Sequence, residues 1–375
     1  MRIGFDAKRA FKNFTGLGNY SRSVISIMSS FYPQNEYILY TPPHKKSFNY
    51  NISNTIEKQP KGLMRFFHSF WRSFGISSQI KNSNIDIYHG LSHELPRGIK
   101  KSGAKTVVTM HDLIVLRYPH LYKPIDRAIY IRKYKRACKD ADLIIAISIQ
   151  TKKDLINFLD VDESKIRLVY QGCDPQFCDL KTEAEKLSIK EKYNLPDKYI
   201  LSVGTIEPRK KLNTIVQALP LLCADTHLVV VGKPTEYMKT VENEITKLNL
   251  AHRVHFFHKL PFCDLPAFYQ LADVFVYPSV FEGFGIPILE AMNSKTPVVA
   301  AQSSSLPEVG GNAAMYFDSD DYKTLSEHIN AIRNNAEIRN EMVAKGLVQA
   351  KNFTDDKIAL QLFGVYAELF ADNCQ

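Results

Sequence analysis

The stretch Val274-Phe-Val-Tyr-Pro-Ser-Val-Phe-Glu-Gly-Phe-Gly-Ile-Pro-Ile-Leu-Glu290 decides how the chain is read. Its first four residues are an unbroken apolar run, as expected of a strand buried on both faces of a parallel sheet. Gly283 and Gly285 permit close backbone approach and unusual dihedrals. Pro287 suits the first turn of a helix, where a missing N–H costs nothing. Strand, glycine loop and helix in that order make a crossover unit. Ligands in such sheets bind beyond the carboxyl ends of the strands, at helix N-termini. The amides of Phe284, Gly285 and Ile286 are therefore expected to face a ligand. Glu282 precedes the helix and Glu290 lies one turn inside it. Two carboxylates so placed can take hydroxyl hydrogen bonds at two points of one long polyol. A helix start with a solvated glutamate at each end would read the same way.

Outward from this stretch the same rhythm recurs. Residues 2–5, 37–40, 85–88, 106–110, 143–147 and 166–169 read as strands, with helical periods over 19–31, 125–139 and 152–159. The pattern restarts with strands at 199–203, 227–231, 254–256, 274–277 and 297–300. Helices over 212–222, 237–248, 264–270 and 287–293 lie between them. Residues 170–180 carry little periodicity and read as a hinge, and the chain beyond 318 looks wholly helical. This alternation predicts an α/β protein of two doubly wound parallel-sheet domains facing a cleft. Residues 1–178 form the first, 179–353 the second, and 354–375 a final helix packing back on the first.

The 375 residues are 45% apolar and 23% charged, which excludes a disordered, collagen-like or disulfide-stapled chain. Net charge is +9, but residues 1–178 carry +14 and residues 179–375 carry −5. Opposite halves suggest different partners. Six scattered cysteines show no CxxC spacing, which fits a reducing cytoplasm. The first residues read as a strand and not as a signal peptide. No apolar run approaches the roughly 20 residues that span a bilayer.

Three further places carry chemistry. Gly204-Thr-Ile-Glu-Pro-Arg-Lys-Lys211 follows a strand, and its three adjacent cations suit a diphosphate. Gly16-Leu-Gly18 opens a helix after the first strand, where free amides suit the same anion. His111 ends a strand on the same side of its sheet. Lys61-Gly-Leu-Met-Arg-Phe-Phe-His-Ser-Phe-Trp-Arg-Ser-Phe74 mixes aromatics with cations. Read as a helix, it places Phe66, Phe70 and Phe74 on one face and Leu63, Phe67 and Trp71 on the next. That composition fits an interfacial membrane helix or a core helix with a cationic edge.

Taken together, these stretches resemble the family 4 retaining glycosyltransferases of the GT-B fold. Glu282 and Glu290 match that family's Glu-x7-Glu motif. Gly16–Gly18, Thr109-Met-His-Asp112, residues 204–210 and Leu306-Pro-Glu308 fall in matching order. The resemblance implies that the second domain binds a GDP- or UDP-linked sugar and the first a glycan or lipid-linked acceptor. It implies that Glu282 contacts the donor sugar, that Glu290 binds the ribose, and that Arg209 and Lys210 stabilise the departing diphosphate. His111 would lie beside the reaction centre without serving as a general base. Gly16, Gly18, Thr205, Gly283, Phe284, Gly285, Ile286 and Leu289 complete the expected donor site, with base contacts near Lys259 and Leu260. Lys211 departs from the family, where Asn or Gly is usual. A mannose- or glucose-type donor feeding a surface polysaccharide follows at family level. Lys and Arg can supply the neutralisation that a divalent ion gives elsewhere, so neither metal nor cofactor is expected. A cytoplasmic enzyme, with its basic half touching an anionic membrane and no nucleic-acid partner, completes the expectation. The competing readings are a nucleotide-sugar epimerase of the same fold and a basic nucleic-acid-binding protein.

Overall fold

The computed structural model describes residues 1–13, 15–44, 54–60, 62–67 and 70–371, apart from the side chains at 63, 65, 73 and 74. The chain divides into two compact units, Met1–Gln171 with Thr354–Gln375, and Gly172–Phe353. The division falls inside the aperiodic stretch 170–180.

Among the described residues, the first unit holds seven strands: β1 (Arg2–Asp6), β2 (Glu36–Tyr40), β3 (Thr55–Lys58), β4 (Ile87–Gly90), β5 (Lys105–Met110), β6 (Leu143–Ala146) and β7 (Ile166–Leu168). They pair in parallel in the order β3-β2-β1-β4-β5-β6-β7. β6 is buried along its whole length, which is why it reads as an unbroken apolar run, while β4 is equally buried but carries His89. β3 is the exception. Its Thr-Ile-Glu-Lys sequence lies at a sheet edge, half-buried at Thr55 and exposed from Ile56 on, and it carries no apolar signal. The helix Gly16–Phe31 begins three residues before the periodic run, and the final helix Asp355–Ala371 packs against it. Phe363 stacks on Tyr32 at 4.1 Å, and Tyr366 Oη lies 2.7 Å from His89 Nδ1 on β4.

The second unit holds six strands among the described residues: β8 (Tyr199–Val203), β9 (His227–Val231), β10 (Val254–Phe257), β11 (Val274–Tyr277), β12 (Val298–Ala301) and β13 (Ala314–Phe317). All are parallel, in the order β10-β9-β8-β11-β12-β13. The helix Glu183–Tyr193 has no apolar period because none of its residues is buried. It is held instead by a capping box between Thr182 and Glu185. Strand order reverses between β1 and β4 in one sheet and between β8 and β11 in the other. Those two switch points are where crevices open beyond the strand ends.

Residues 61–74 do not form the single two-faced helix that the spacing suggests. A 3-10 turn covers Gly62–Arg65 and a π turn covers Trp71–Gly75, while Lys61, His68 and Ser69 lie outside the described residues. Trp71 is 1% exposed and belongs to the first unit's core. Phe66, Phe67 and Phe70 are exposed, at 77%, 64% and 52%. The core reading thus holds for the indole, while Phe66, Phe67 and Phe70 stay at the surface. Cys138, Cys173, Cys178, Cys223 and Cys263 are free thiols, and Cys374 lies outside the described residues. No described helix is long and apolar enough to cross a membrane.

Candidate active site

The two loops that leave β8 and β11 flank the switch point of the second sheet and carry the glutamates and cations. After β11 the chain reaches Gly285, whose φ of +125° only glycine adopts without strain. Gly285 is the N-cap of the helix Ile286–Asn293, and no side chain caps that end. Ser304 Oγ accepts from the Glu282 amide at 2.9 Å. Ser305 Oγ donates to the Phe284 carbonyl at 2.5 Å. The serine run 303–305 therefore pins the glycine loop from the neighbouring strand end.

Three donors converge on Glu282 Oε1: Lys210 Nζ at 2.5 Å, Ser279 Oγ at 2.6 Å and Arg209 Nη1 at 2.9 Å. All three of these fall on that one oxygen, and the Tyr277 hydroxyl is a further neighbour of the carboxylate. Burial opposes ionisation of Glu282. The Lys210 ammonium and Arg209 guanidinium outweigh it and hold the carboxyl at about 2. Lys210 is itself pulled down by burial and supported by Glu282. Its ammonium also donates to Tyr277 Oη at 2.7 Å, and one N–H remains. Arg209 is more fully engaged. It donates to the Phe281 carbonyl and, at 2.6 Å, to Glu207 Oε1. It thus ties the β8 loop to the β11 loop and contributes a fixed charge. Lys211 turns away, in the left-handed region at φ +48°, and bonds Asp320 Oδ1 at 2.5 Å.

Glu290 is buried one turn into the helix, with Tyr269 Oη donating to its Oε2 at 2.8 Å. That is the sole hydrogen bond to Glu290's carboxylate among the described residues. Burial raises its carboxyl to about 7, because one neutral hydroxyl does not replace water. Thr205 is exposed just beyond β8, and a concavity there is lined by Gly204, Thr205, Lys210 and Tyr277. Gly283 sits half-buried in the pinned loop and Ile286 half-buried at the helix start. Lys259 is exposed and Leu260 half-buried in the loop after β10. The side chains of Phe284 and Leu289 belong to the core instead, 3% and 1% exposed, so only their backbone is available to a ligand.

His111 and the Gly16–Gly18 turn lie in the first unit, at its own strand ends. His111 Nε2 lies 2.9 Å from the Leu91 carbonyl, which can only accept. The proton therefore sits on Nε2 and the lone pair on Nδ1. Burial, with His93 nearby, lowers His111 to about 3, so it is neutral at any working pH. The Tyr20 ring meets it edge-on at 4.5 Å. A Cβ on Gly18 would sit 1.8 Å from the Asn13 carbonyl oxygen, so this glycine is required by packing. Its amide is bonded to the Thr15 carbonyl at 2.9 Å. Gly16 has nothing within 4 Å of its Cβ position, and no side chain caps the helix it opens.

Sequence reasoning found both glutamates and both cations but missed their supports. Tyr269, Tyr277 and Ser304 act through partners remote in sequence, Ser279 bonds Glu282 only three residues on, and an isolated Tyr or Ser gives no signal. Only the serine run beside Leu306-Pro-Glu308 could have drawn notice.

Residues 183–348 match the family model Glycosyl transferases group 1, and residues 30–177 match Glycosyltransferase Family 4. The chain is 32% identical over 286 residues to O-antigen chain mannosyltransferase B of Escherichia coli, covering 75% of this chain and 74% of that one. It is 26% identical over 306 residues to O-antigen chain mannosyltransferase RfbU of Salmonella typhimurium, covering 82% and 79%. Its fold is similar to Anabaena Alr3699/HepE, solved in complex with UDP and glucose. The TM-score there is 0.76 at 16% identity, with 98% of this chain and all of that one aligned.

Proposed function

Because the chain belongs to the group 1, family 4 glycosyltransferases and has their GT-B fold, we propose that it transfers a mannose-type hexose with retained anomeric configuration. The donor is a GDP- or UDP-linked sugar, and the acceptor is a lipid-linked glycan of a surface polysaccharide. The observation that carries this reading is the pair Glu282 and Glu290. Glu282 is held by three donors on Oε1 and Glu290 by the Tyr269 hydroxyl alone, so each carboxylate keeps capacity to accept from a ligand, and Glu282 sits beside the cations of the β8 loop. Glu282 Oε2 accepts from a hydroxyl of the donor sugar, and Glu290 accepts from the ribose. As the C1–O bond breaks, its electron pair passes to the diphosphate. The remaining Lys210 N–H and the fixed Arg209 charge stabilise it. The acceptor hydroxyl attacks from the face the diphosphate leaves, and its proton goes to a departing phosphate oxygen. These two cations supply the neutralisation that a divalent ion gives elsewhere, so the reaction proceeds without metal. The mannosyltransferase relatives support the sugar and the product class.

A melting-curve screen against GDP-, UDP- and ADP-sugars tests the donor. The correct one stabilises by about 2.7 kcal/mol at a hundredfold excess over its Kd. The anomeric coupling of the product by NMR tests retention. No shift with any nucleotide sugar, or an inverted product, would overturn the reading.

The first unit is further proposed to rest on an anionic membrane. Phe66, Phe67 and Phe70 project into solvent, and the helix Pro124–Asp140 exposes Ile125 and Ile129 together with Arg132, Lys133, Lys135 and Lys139. Each cation near an anionic surface adds about 1 kcal/mol. Binding to phosphatidylglycerol vesicles should fall with salt, and fall at least tenfold more in Phe66→Ser, Phe67→Ser, with an unchanged melting curve. Trp71→Ser should instead cost about 3–5 kcal/mol of stability. Vesicle sedimentation beside melting curves checks both. Equal vesicle binding by the double variant would remove the phenylalanines from the surface contact.

A further inference from the structure

The switch point of the first sheet, between β1 and β4, holds a cluster of charge that the donor chemistry does not use. Asp6 ends β1, and Glu94 lies in the loop after β4. Arg72 Nη2 donates to Asp6 Oδ2 at 2.9 Å and to Glu94 Oε2 at 3.2 Å. Lys133 Nζ donates to Glu94 Oε1 at 2.8 Å. Lys8 and Arg9 follow β1 directly and are half-buried. Neither has a side-chain hydrogen bond or ion pair among the described residues. Four cations thus meet two carboxylates. Burial and then Arg72 pull the Lys8 ammonium down, and the support of Asp6 and Glu94 does not fully offset them. Arg72 Nε is buried with no partner. The field of Arg9 reaches both His93 and His111. A half-buried excess of cations at a strand-end crevice is relieved by an anion, and costs free energy without one.

We propose that Lys8, Arg9 and Arg72 form an anion subsite beyond β1 and β4 that holds the phosphate or diphosphate group of the acceptor, in electrostatic reach of His111. This rests on the reading that the first unit takes the acceptor. The donor's own diphosphate is answered in the second unit by Lys210 and Arg209. The subsite makes the linkage phosphate part of what the enzyme recognises.

The test is calorimetric titration of the full chain saturated with its nucleoside diphosphate, so that the donor site is occupied. The probes are farnesyl diphosphate, inorganic pyrophosphate and farnesol. Both diphosphates should bind, more weakly at high salt, and farnesol should not. Lys8→Gln and Arg9→Gln orphan no carboxylate, and each should raise the diphosphate Kd about tenfold. Nucleotide affinity should stay unchanged, and the melting temperature should not fall. Tighter binding of farnesyl diphosphate than of pyrophosphate assigns the subsite to a lipid-linked acceptor. Equal binding assigns it to a phosphorylated water-soluble one. Unchanged diphosphate affinity in both variants, or farnesol binding as well as its diphosphate, overturns the subsite. Failure of the functional reading itself shows separately, as wild-type protein that binds no nucleotide.

Discussion

Lys210→Ala should lower kcat by about a hundredfold to a thousandfold while leaving the affinity for the nucleotide sugar within a few fold. In the proposed reaction the ammonium meets charge that develops on the leaving diphosphate, so its loss would be felt in the transition state. The fold should tolerate the change. Glu282 Oε1 keeps Ser279 and Arg209 as donors when Lys210 is gone. Arg209→Ala differs, because Arg209 ties Glu207 and the Phe281 carbonyl together and its removal should lower the melting temperature as well. Turnover of both variants and of the wild type should be indifferent to EDTA. Activity lost in chelator and restored by a divalent ion would show that these cations do not carry the charge. A Lys210→Ala enzyme with normal kcat and a raised KM would place the lysine in ground-state binding instead.

Glu290→Gln should weaken binding of the free nucleoside diphosphate by about tenfold to a hundredfold at pH 8, since a charged acceptor to the ribose is worth roughly 1.5–3 kcal/mol. The pH dependence is the sharper signature. Burial holds this carboxyl at about 7 against an ordinary 4.5. Ribose hydroxyls donate to the ionised form, so wild-type affinity should climb as pH rises toward 8. The nucleotide's own phosphate titrates nearby, but it does so equally in the variant, and the ratio of the two profiles isolates Glu290. Stability runs the other way. Below pH 4.5 the carboxyl is neutral in both folded and unfolded chains. Between 4.5 and 7 the unfolded chain ionises first, so the folded state loses stability as pH rises, by up to about 3 kcal/mol above pH 7. Glu290→Gln removes that loss. Its melting temperature should therefore gain on the wild type between pH 5 and 8, by on the order of 5 °C. Parallel melting and binding profiles would mean that Glu290 is ionised throughout.

Glu282, Glu290, Arg209 and Lys210 stood out as candidates because motif and strand-end position coincide in short segments. The central strands were legible for a related reason: burial on both faces leaves no room for polar residues, so β8, β9 and β11 have the limits their apolar runs suggest. Elements that depend on other kinds of order left no such trace. β3 is polar because it is an edge, and Glu183–Tyr193 is held by its cap. Residues 61–74 have helical spacing, yet burial of the single indole of Trp71 divides them. The cluster of Asp6, Arg72, Glu94 and Lys133 was invisible for a third reason. Its members are far apart in sequence, and only the sheet order brings them together.

The return of the last helix to the first unit sets an order on synthesis. Residues 172–353 are one uninterrupted stretch, so that unit has everything it needs as soon as it has left the ribosome. The first unit has to wait. Until Asp355–Ala371 emerges, His89 lacks its Tyr366 partner and Tyr32 lacks Phe363. Of the two units, the one translated first is thus the last to close. Nascent chains carry an unfinished apolar seam along Gly16–Phe31 throughout the making of residues 172–353, the interval in which chaperones or a membrane surface would find it most exposed.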